Sequence, residues 1–289
     1  MARKNSNRSG VVHEPPSDET PPAPMVTQGG GEDSIFSFVT PTEFVELPSN
    51  GEHYPDNHPL NGVNTIEIRH MTAKEEDILT SEALLKKGLA LDRLLQSVIV
   101  NKEIKVNDLL IGDKKALLIA ARKTGYGPFY ETQLTCPACA TTTEESLNLD
   151  NLTTKESTAL PENVAEADNG NYIITFEEFN LRVEVKLLKG SDEKLVAGRR
   201  ETRKKRKLPD AMITDQLEAI IVSVNDITDR NLIKKFANEI PAMMSRKLRN
   251  IYEDLTPDLD LTFDFECEEC GHLGKVGMPL TAAFFWPNK

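Results

Sequence analysis

The sequence lacks long hydrophobic runs. No stretch approaches the ~20 consecutive apolar residues that a membrane-spanning helix needs, and the longest apolar pieces, residues 116–121 and 219–222, suit buried helices. The opening segment MARKNSNRSG has no apolar core of a secretory signal. We therefore expect a protein without a membrane span, made in a reducing compartment where its thiols stay free.

The sequence also lacks the common catalytic motifs. It contains no phosphate-binding P-loop, no dinucleotide-binding glycine pattern and no G-x-S-x-G nucleophile elbow. Its five histidines include no i, i+4 pair that could bind a metal from one helix face. We therefore predict that the protein is not an enzyme and has no small-molecule substrate.

Negative charge exceeds positive charge over the chain as a whole, but one segment is strongly basic. The formal net charge is -12, which disfavours nucleic-acid binding because a phosphate-binding surface needs a positive field. Residues 199–207 nevertheless read RRETRKKRK, and we call this segment the basic arm. Its seven basic residues are Arg199, Arg200, Arg203, Lys204, Lys205, Arg206 and Lys207.

Composition leaves several interpretations of the basic arm open. It is typical of a solvated helix end, of a docking segment for an acidic partner surface or nucleic acid, or of a nuclear-localisation signal. The nucleic-acid interpretation is the weaker docking option because no aromatic residues are interleaved to stack on bases.

Cysteine is rare, but its spacing is informative. The chain has four cysteines in two C-x-x-C pairs: Cys136 and Cys139, then Cys267 and Cys270. Two such pairs supply the four thiolates of a closed, tetrahedral structural zinc site. Each pair follows a segment of alternating polarity, residues 129–134 and 259–265, which is typical of a strand. The pattern predicts two hairpins with a C-x-x-C at each tip, forming a split zinc ribbon that binds one structural Zn²⁺ per chain.

Other uses of the cysteines remain open at this stage. A thiol-exchange enzyme needs a reactive, low-pKa cysteine, and neither pair opens a helix in a βαβ context. Two structural disulfides would need an oxidising compartment. Four thiolates also accept iron in place of zinc.

The residue after each cysteine pair differs. Gly271 follows the second pair, as is common in such turns, whereas Ala140 follows the first. We expect Ala140 to be forced toward positive φ, at a cost of roughly 1 kcal/mol that zinc binding would offset.

The order of predicted elements is repeated along the chain. Residues 1–34 are rich in proline and glycine and predict a disordered tail. Residues 35–150 and 181–289 each predict a strand, capped helices, an apolar helix and a cysteine hairpin, with a connector at 151–180. We therefore predict an internally duplicated α+β fold whose two halves share the zinc on a pseudo-two-fold axis.

Polar residues in front of apolar periodic segments predict where helices begin. Thr72 and Glu75 are spaced as a capping box. The same reasoning assigns helix caps to Asp113, Ser191 and Thr228. A further helix is expected to run from Leu217 through Val224, because its apolar residues recur at helical spacing.

Trp286, the only tryptophan, lies in the closing sequence FFWP. Such a terminal aromatic cluster is typical of a core latch. It is also compatible with an anchor for a partner protein, because exposed aromatic residues often dominate binding energy at interfaces.

Several longer segments of the sequence are distinctive: LPSNG at 47–51, YP at 54–55, IEIRHMTAKEEDIL at 66–79, DLLIGD at 108–113, TGYG at 124–127 leading into TCPAC at 135–139, and FFWP at 284–287. Together they resemble one known family, the baseplate hub proteins of T-even-like contractile-tailed bacteriophages. The similarity extends over about residues 36–289, although the basic arm and residues 150–170 match poorly.

The resemblance implies a structural or assembly role in the central hub of the tail baseplate, with other phage tail and hub proteins as partners. Such a protein would be made late in infection in the host bacterial cytoplasm. It would then either assist assembly or remain in the virion tail. The competing prediction is a nucleic-acid-binding zinc-ribbon regulator.

Overall fold

A computed structural model describes residues 40–155, 159–167, 169–278 and 282–285. These residues form eight α-helices and twelve short strands. All strand pairs among them are antiparallel, which confirms the α+β class. The predicted tail at 1–34 and Trp286 lie outside the described residues.

The first part of the fold is two strand pairs with helices between them. Strands β1 and β2 pair with each other, as do β3 and β4, and α4 lies between the two pairs in sequence. The elements are β1 (Thr42–Glu46), β2 (Thr65–Arg69), α1 (Ala73–Thr80), α2 (Glu82–Lys86), α3 (Ala90–Val98), α4 (Ile111–Tyr126), β3 (Phe129–Thr135) and β4 (Thr142–Asn148).

The second part contains a four-stranded sheet, more helices and the second cysteine hairpin. Strands β6 to β9 form the sheet in sequential order, β10 pairs with β5, and β11 with β12. The elements are β5 (Thr153–Thr154), β6 (Val164–Glu166), β7 (Tyr172–Phe176), β8 (Leu181–Val185), α5 (Gly190–Lys205), α6 (Met212–Ile220), β9 (Ile221–Val224), α7 (Arg230–Glu239), α8 (Ala242–Leu255), β10 (Leu259–Asp260), β11 (Thr262–Glu266) and β12 (Leu273–Gly277).

One apolar core extends through both parts. Leu117 of α4, Val183 of β8 and Leu248 of α8 are all fully buried members of the same hydrophobic cluster. The N-terminal end of α4 also approaches the later chain very closely. A Cβ at Gly112 would lie 2.0 Å from the Pro257 carbonyl oxygen, so only glycine fits there.

The predicted helix starts are partly confirmed. The backbone N–H of Thr72 donates to the Glu75 carboxylate at 3.0 Å, as a capping box requires. The other three caps are wrong. Ser191 lies inside α5, whose N-cap is Lys189. The N-cap of α7 is Asp229 rather than Thr228, and its carboxylate accepts the backbone N–H groups of the second and third helical residues.

Asp113 lies inside the first turn of α4 rather than capping it, because Leu110 is the N-cap. The carboxylate is buried and accepts hydrogen bonds from the Ser49 hydroxyl at 2.6 Å and the Tyr54 hydroxyl at 2.7 Å. Burial raises the pKa of Asp113. This side chain therefore anchors the 47–55 loop on α4 instead of satisfying a helix end.

The helix predicted to run through Val224 is also wrong beyond Ile220. Residues 221–224 form β9, which pairs with β8 and places Val224 opposite Val183. This segment is rich in β-branched side chains, which favour strands. Its apolar spacing fits a helix equally well, so the open edge of β8 decides between the two structures.

Candidate metal centre

Two hairpin turns bring the four cysteines to one point. Cys136 and Cys139 lie between β3 and β4, whereas Cys267 and Cys270 lie between β11 and β12. All four Sγ atoms lie within 4.8 Å of one another. The Cys136–Cys270 sulfur distance is 3.8 Å and the Cys139–Cys267 distance is 3.6 Å. The predicted meeting of the two pairs is confirmed.

The sulfur distances fit a tetrahedral thiolate site. A Zn–S bond of ~2.3 Å separates the sulfurs of a regular tetrahedron by ~3.8 Å. A disulfide would instead need ~2.0 Å between sulfurs, and all four cysteines are free. Four soft thiolate donors in this arrangement are suited to zinc, and iron is the second metal that accepts them.

The two turns share one backbone geometry. In each turn, the residue after the second cysteine donates its N–H to the carbonyl of the first. The distance is 2.9 Å from Ala140 to Cys136 and 2.8 Å from Gly271 to Cys267. Ala140 has φ 60° and Gly271 has φ 67°. The expected positive φ at Ala140 is therefore confirmed.

The thiols influence one another's ionisation. Hydrogen bonding to Thr141 lowers the pKa of Cys139 to about 6. A backbone hydrogen bond at His272 lowers the pKa of Cys270, but the three neighbouring thiols raise it, to about 12 on balance. Without a cation, the Cys270 thiol therefore keeps its proton near neutral pH. A divalent cation bound by the thiols would favour the thiolate and displace that proton.

Arg122 donates hydrogen bonds to the backbone at the start of the first hairpin, and the sequence analysis did not identify it. Its buried guanidinium donates to the carbonyls of Phe284 at 2.8 Å, Gly127 at 3.0 Å and Phe129 at 3.1 Å. It thereby joins α4, the start of β3 and the Ala282–Phe285 turn. The only sequence signal was an arginine that directly follows the apolar residues 116–121.

The sequence matches the family model described as T4 bacteriophage base plate protein over residues 40–286. The chain belongs to this family. The match confirms the resemblance at the level of the baseplate, and a family of structural phage proteins is consistent with the predicted lack of enzymatic activity. The comparisons found no matching curated protein and no matching solved structure.

The family places this baseplate protein in the tail baseplate of the virion, with other phage tail proteins as its partners. Within the described ranges, none of its helices has the length and apolar character needed to cross a membrane.

The basic arm of this baseplate protein forms the C-terminal end of α5 and the two residues after it. Three of its side chains make ion pairs within the chain: Arg199 with Glu218 at 2.9 Å, Arg203 with Asp215 at 3.7 Å, and Lys205 with Glu201 at 2.8 Å. In the part of the chain that the structure describes, Arg200, Lys204, Arg206 and Lys207 make no ion pair. The arm is thus neither uniformly solvated nor uniformly paired.

Proposed function

We propose that this protein is a non-enzymatic structural component of the central baseplate hub, stabilised by one Zn²⁺ and acting through protein–protein contacts. Family membership supports the baseplate, and the resemblance of residues 47–51 and 66–79 to hub proteins supports the hub. The observation that carries the zinc proposal is the cluster of four Sγ atoms, with cross-hairpin distances of 3.8 and 3.6 Å.

In this proposal the metal cross-links distant parts of the chain. The two cysteine hairpins are separated by residues 140–266. Cys136 and Cys267 are the two buried cysteines of the site. The Ala138 N–H donates to Cys136 Sγ at 3.4 Å, which orients that sulfur. Zinc binding in small thiolate peptides contributes roughly 10–16 kcal/mol in apparent free energy. Even a fraction of that energy would hold the hairpins together.

The proposed organisation has two related halves, 35–150 and 181–289, joined by the connector 151–180. Two features support it. In each half a strand, β2 or β8, leads into helices, and the half ends with a cysteine hairpin. The two turns also share the same hydrogen bond and the same positive φ. Each half would donate two thiolates to the shared ion.

The proposed contacts with other tail and hub proteins involve the basic arm and Trp286. The charge contrast between the arm and the acidic chain supports an acidic partner surface. The proposed site of synthesis and assembly is the host cytoplasm late in infection. Nothing in the described part of the chain supports the alternative of a nucleic-acid-binding regulator.

Native mass spectrometry with elemental analysis tests the zinc proposal. We expect one zinc per chain in the purified protein, and loss of that zinc in both Cys136→Ser and Cys267→Ser. Metal-free protein with freely alkylated thiols would contradict the clamp. One iron per chain would retain the clamp but contradict zinc.

Electron microscopy of tails assembled with a tagged chain tests the hub proposal independently. We expect the label on the central axis of the baseplate. A peripheral label would contradict the hub position without affecting the zinc result.

A further inference from the structure

A groove of about 720 Å³ lies between α5, α6 and α7. Among the residues that the structure describes, only two acidic side chains line it, Asp215 and Glu218, although the chain as a whole is acidic. The basic side chains that line it are Lys194, Arg199, Arg203, Arg206, Arg230 and Lys234. The groove is therefore a local positive surface on a molecule of net charge -12.

The basic arm has two faces, and one of them lines this groove. Arg199, Arg203 and Arg206 follow the i, i+4, i+7 spacing of one helix face. Arg200 and Lys207 are absent from the groove lining. Three of the seven basic residues of the arm therefore line a defined cavity, whereas Arg200, Lys204, Lys205 and Lys207 do not.

The charges in the groove differ in how firmly they are held. The ion pairs with Glu218 and Asp215 fix Arg199 and Arg203. Arg206 and Lys234 are exposed and make no ion pair within the described ranges. These two cations are available to an acidic ligand without the loss of an internal contact.

The groove also presents apolar surface. Leu195 is 63% exposed and Leu208 is 49% exposed, and both line it. No aromatic side chain of the described part of the chain lines the groove, so those residues offer no stacking platform of the kind that single-stranded nucleic acid uses. Carboxylates and apolar side chains occur together in an acidic, amphipathic peptide.

We propose that the groove between α5, α6 and α7 binds an acidic, amphipathic segment of a neighbouring tail protein. Carboxylates of that segment pair with Arg206 and Lys234, and its apolar side chains cover Leu195 and Leu208. This inference rests on the proposed baseplate role and identifies which face of the basic arm makes the contact.

Two charge-reversal variants of the full-length chain test the groove. The groove variant combines Arg206→Glu with Lys234→Glu, and the control combines Arg200→Glu with Lys207→Glu. Both variants change the net charge equally and remove no ion pair of the described chain. Metal content and circular dichroism verify that both fold like the parent.

The host cell expresses each protein while it is infected with a phage that lacks the gene. The assembled tails are then counted. We expect the groove variant to reduce tail assembly by about tenfold or more, the factor that ~1.4 kcal/mol of lost binding produces. The control should support assembly within about twofold of the parent. Equal tail assembly by the two variants would overturn the proposal that the groove binds a partner. If tails assemble normally without any copy of the chain, the proposed function itself fails.

Binding measurements then distinguish the occupants. A fluorescein-labelled amphipathic peptide of glutamate and leucine should bind the parent and the control variant, but bind the groove variant at least about tenfold more weakly. Binding of a labelled DNA oligonucleotide in place of the peptide would overturn the proposed occupant. Native mass spectra could also show a dimer that is lost only in the groove variant. That result would assign the groove to a second copy of the chain and overturn the proposed occupant.

Discussion

The residue that closes each cysteine turn adopts a left-handed conformation, but the two hairpins use different residues there. Ala140 has φ 60° and Gly271 has φ 67°. A side chain in this region costs roughly 1–2 kcal/mol, part of which is regained because glycine has greater freedom in the unfolded chain. A Cβ at Gly271 would contact nothing within 4 Å, so the backbone alone decides the effect of substitution.

We therefore expect Ala140→Gly to stabilise the protein by about 0.5–1 kcal/mol and Gly271→Ala to destabilise it by a similar amount. Urea unfolding of the zinc-loaded proteins measures both changes. Destabilisation by Ala140→Gly would show that the alanine methyl group makes a contact worth more than the backbone strain.

Glu75 predicts a specific acid sensitivity. Burial raises its pKa, but hydrogen bonds from Arg69, Ser97 and Thr72 outweigh that effect and lower the pKa to about 2. Because the folded-state pKa lies below the ordinary value of 4.5, Glu75 stabilises the fold above about pH 4.5. That contribution is lost as the pH falls toward 2.

We expect Glu75→Gln to cost about 2 kcal/mol at neutral pH, and this cost should shrink as the pH falls from about 4.5 toward about 2. Urea unfolding of both proteins at each pH measures the cost. Zinc release at low pH affects both proteins alike and cancels in their difference. A cost that does not change with pH would contradict the lowered pKa.

Arg122 joins α4, the start of β3 and the Ala282–Phe285 turn. Replacing it should therefore weaken the packing of these three elements. Its guanidinium donates hydrogen bonds to three main-chain carbonyl groups, those of Gly127, Phe129 and Phe284. Burial lowers its pKa, and Tyr126 and Tyr130 place their rings within 5.4 and 5.8 Å of the guanidinium carbon.

We expect Arg122→Met to destabilise the protein by about 2–4 kcal/mol, because it leaves buried carbonyl groups without donors. Thermal or urea unfolding measures the loss. Arg246→Met on the exposed face of α8 is the matched control and should change stability by less than about 0.5 kcal/mol. Equal effects of the two substitutions would contradict a structural role for Arg122.

The elements show where local patterns suffice. The capping box at Thr72, the buried α4 and both cysteine hairpins follow from residues close together in sequence, and all are confirmed. Residues 221–224 form a strand instead of the predicted helix because β8, some forty residues earlier in the chain, offers them a pairing edge. The incorrect caps at Ser191 and Thr228 are shifted only slightly, which is typical of helix boundaries.

For the molecule as a whole, the metal site predicts that two distant hairpins respond together. In the proposed zinc site one ion would hold both turns, so removing it with a chelator should lower amide-exchange protection in both β3–β4 and β11–β12. The sheet of β6 to β9 should keep its protection, since its core contacts do not involve the site. Hydrogen exchange with mass spectrometry measures all three regions.

A chelator effect confined to one hairpin would contradict a shared ion. A double-mutant cycle adds a second criterion. Cys136→Ser and Cys267→Ser should be strongly non-additive, because either substitution alone already removes the metal. Additive costs would show that each cysteine contributes independently of the other.

Sequence alone determined the features that depend on spacing within a few residues. The C-x-x-C pairs, the alternating strands that lead into them and the closing residue of each turn are local, so their geometry could be predicted. The sequence also specified the type of donor at the candidate metal centre. Its resemblance to hub proteins indicated a baseplate role, and the family match supports the baseplate.

Only the tertiary structure decided which other distant groups meet. It surrounds Arg122 with carbonyl groups from separate segments, and it turns one face of the basic arm toward α6 and α7. Each of these contacts depends on how the shared apolar core packs elements that are far apart in sequence. Such packing is a collective property of many side chains, so no local pattern could predict it.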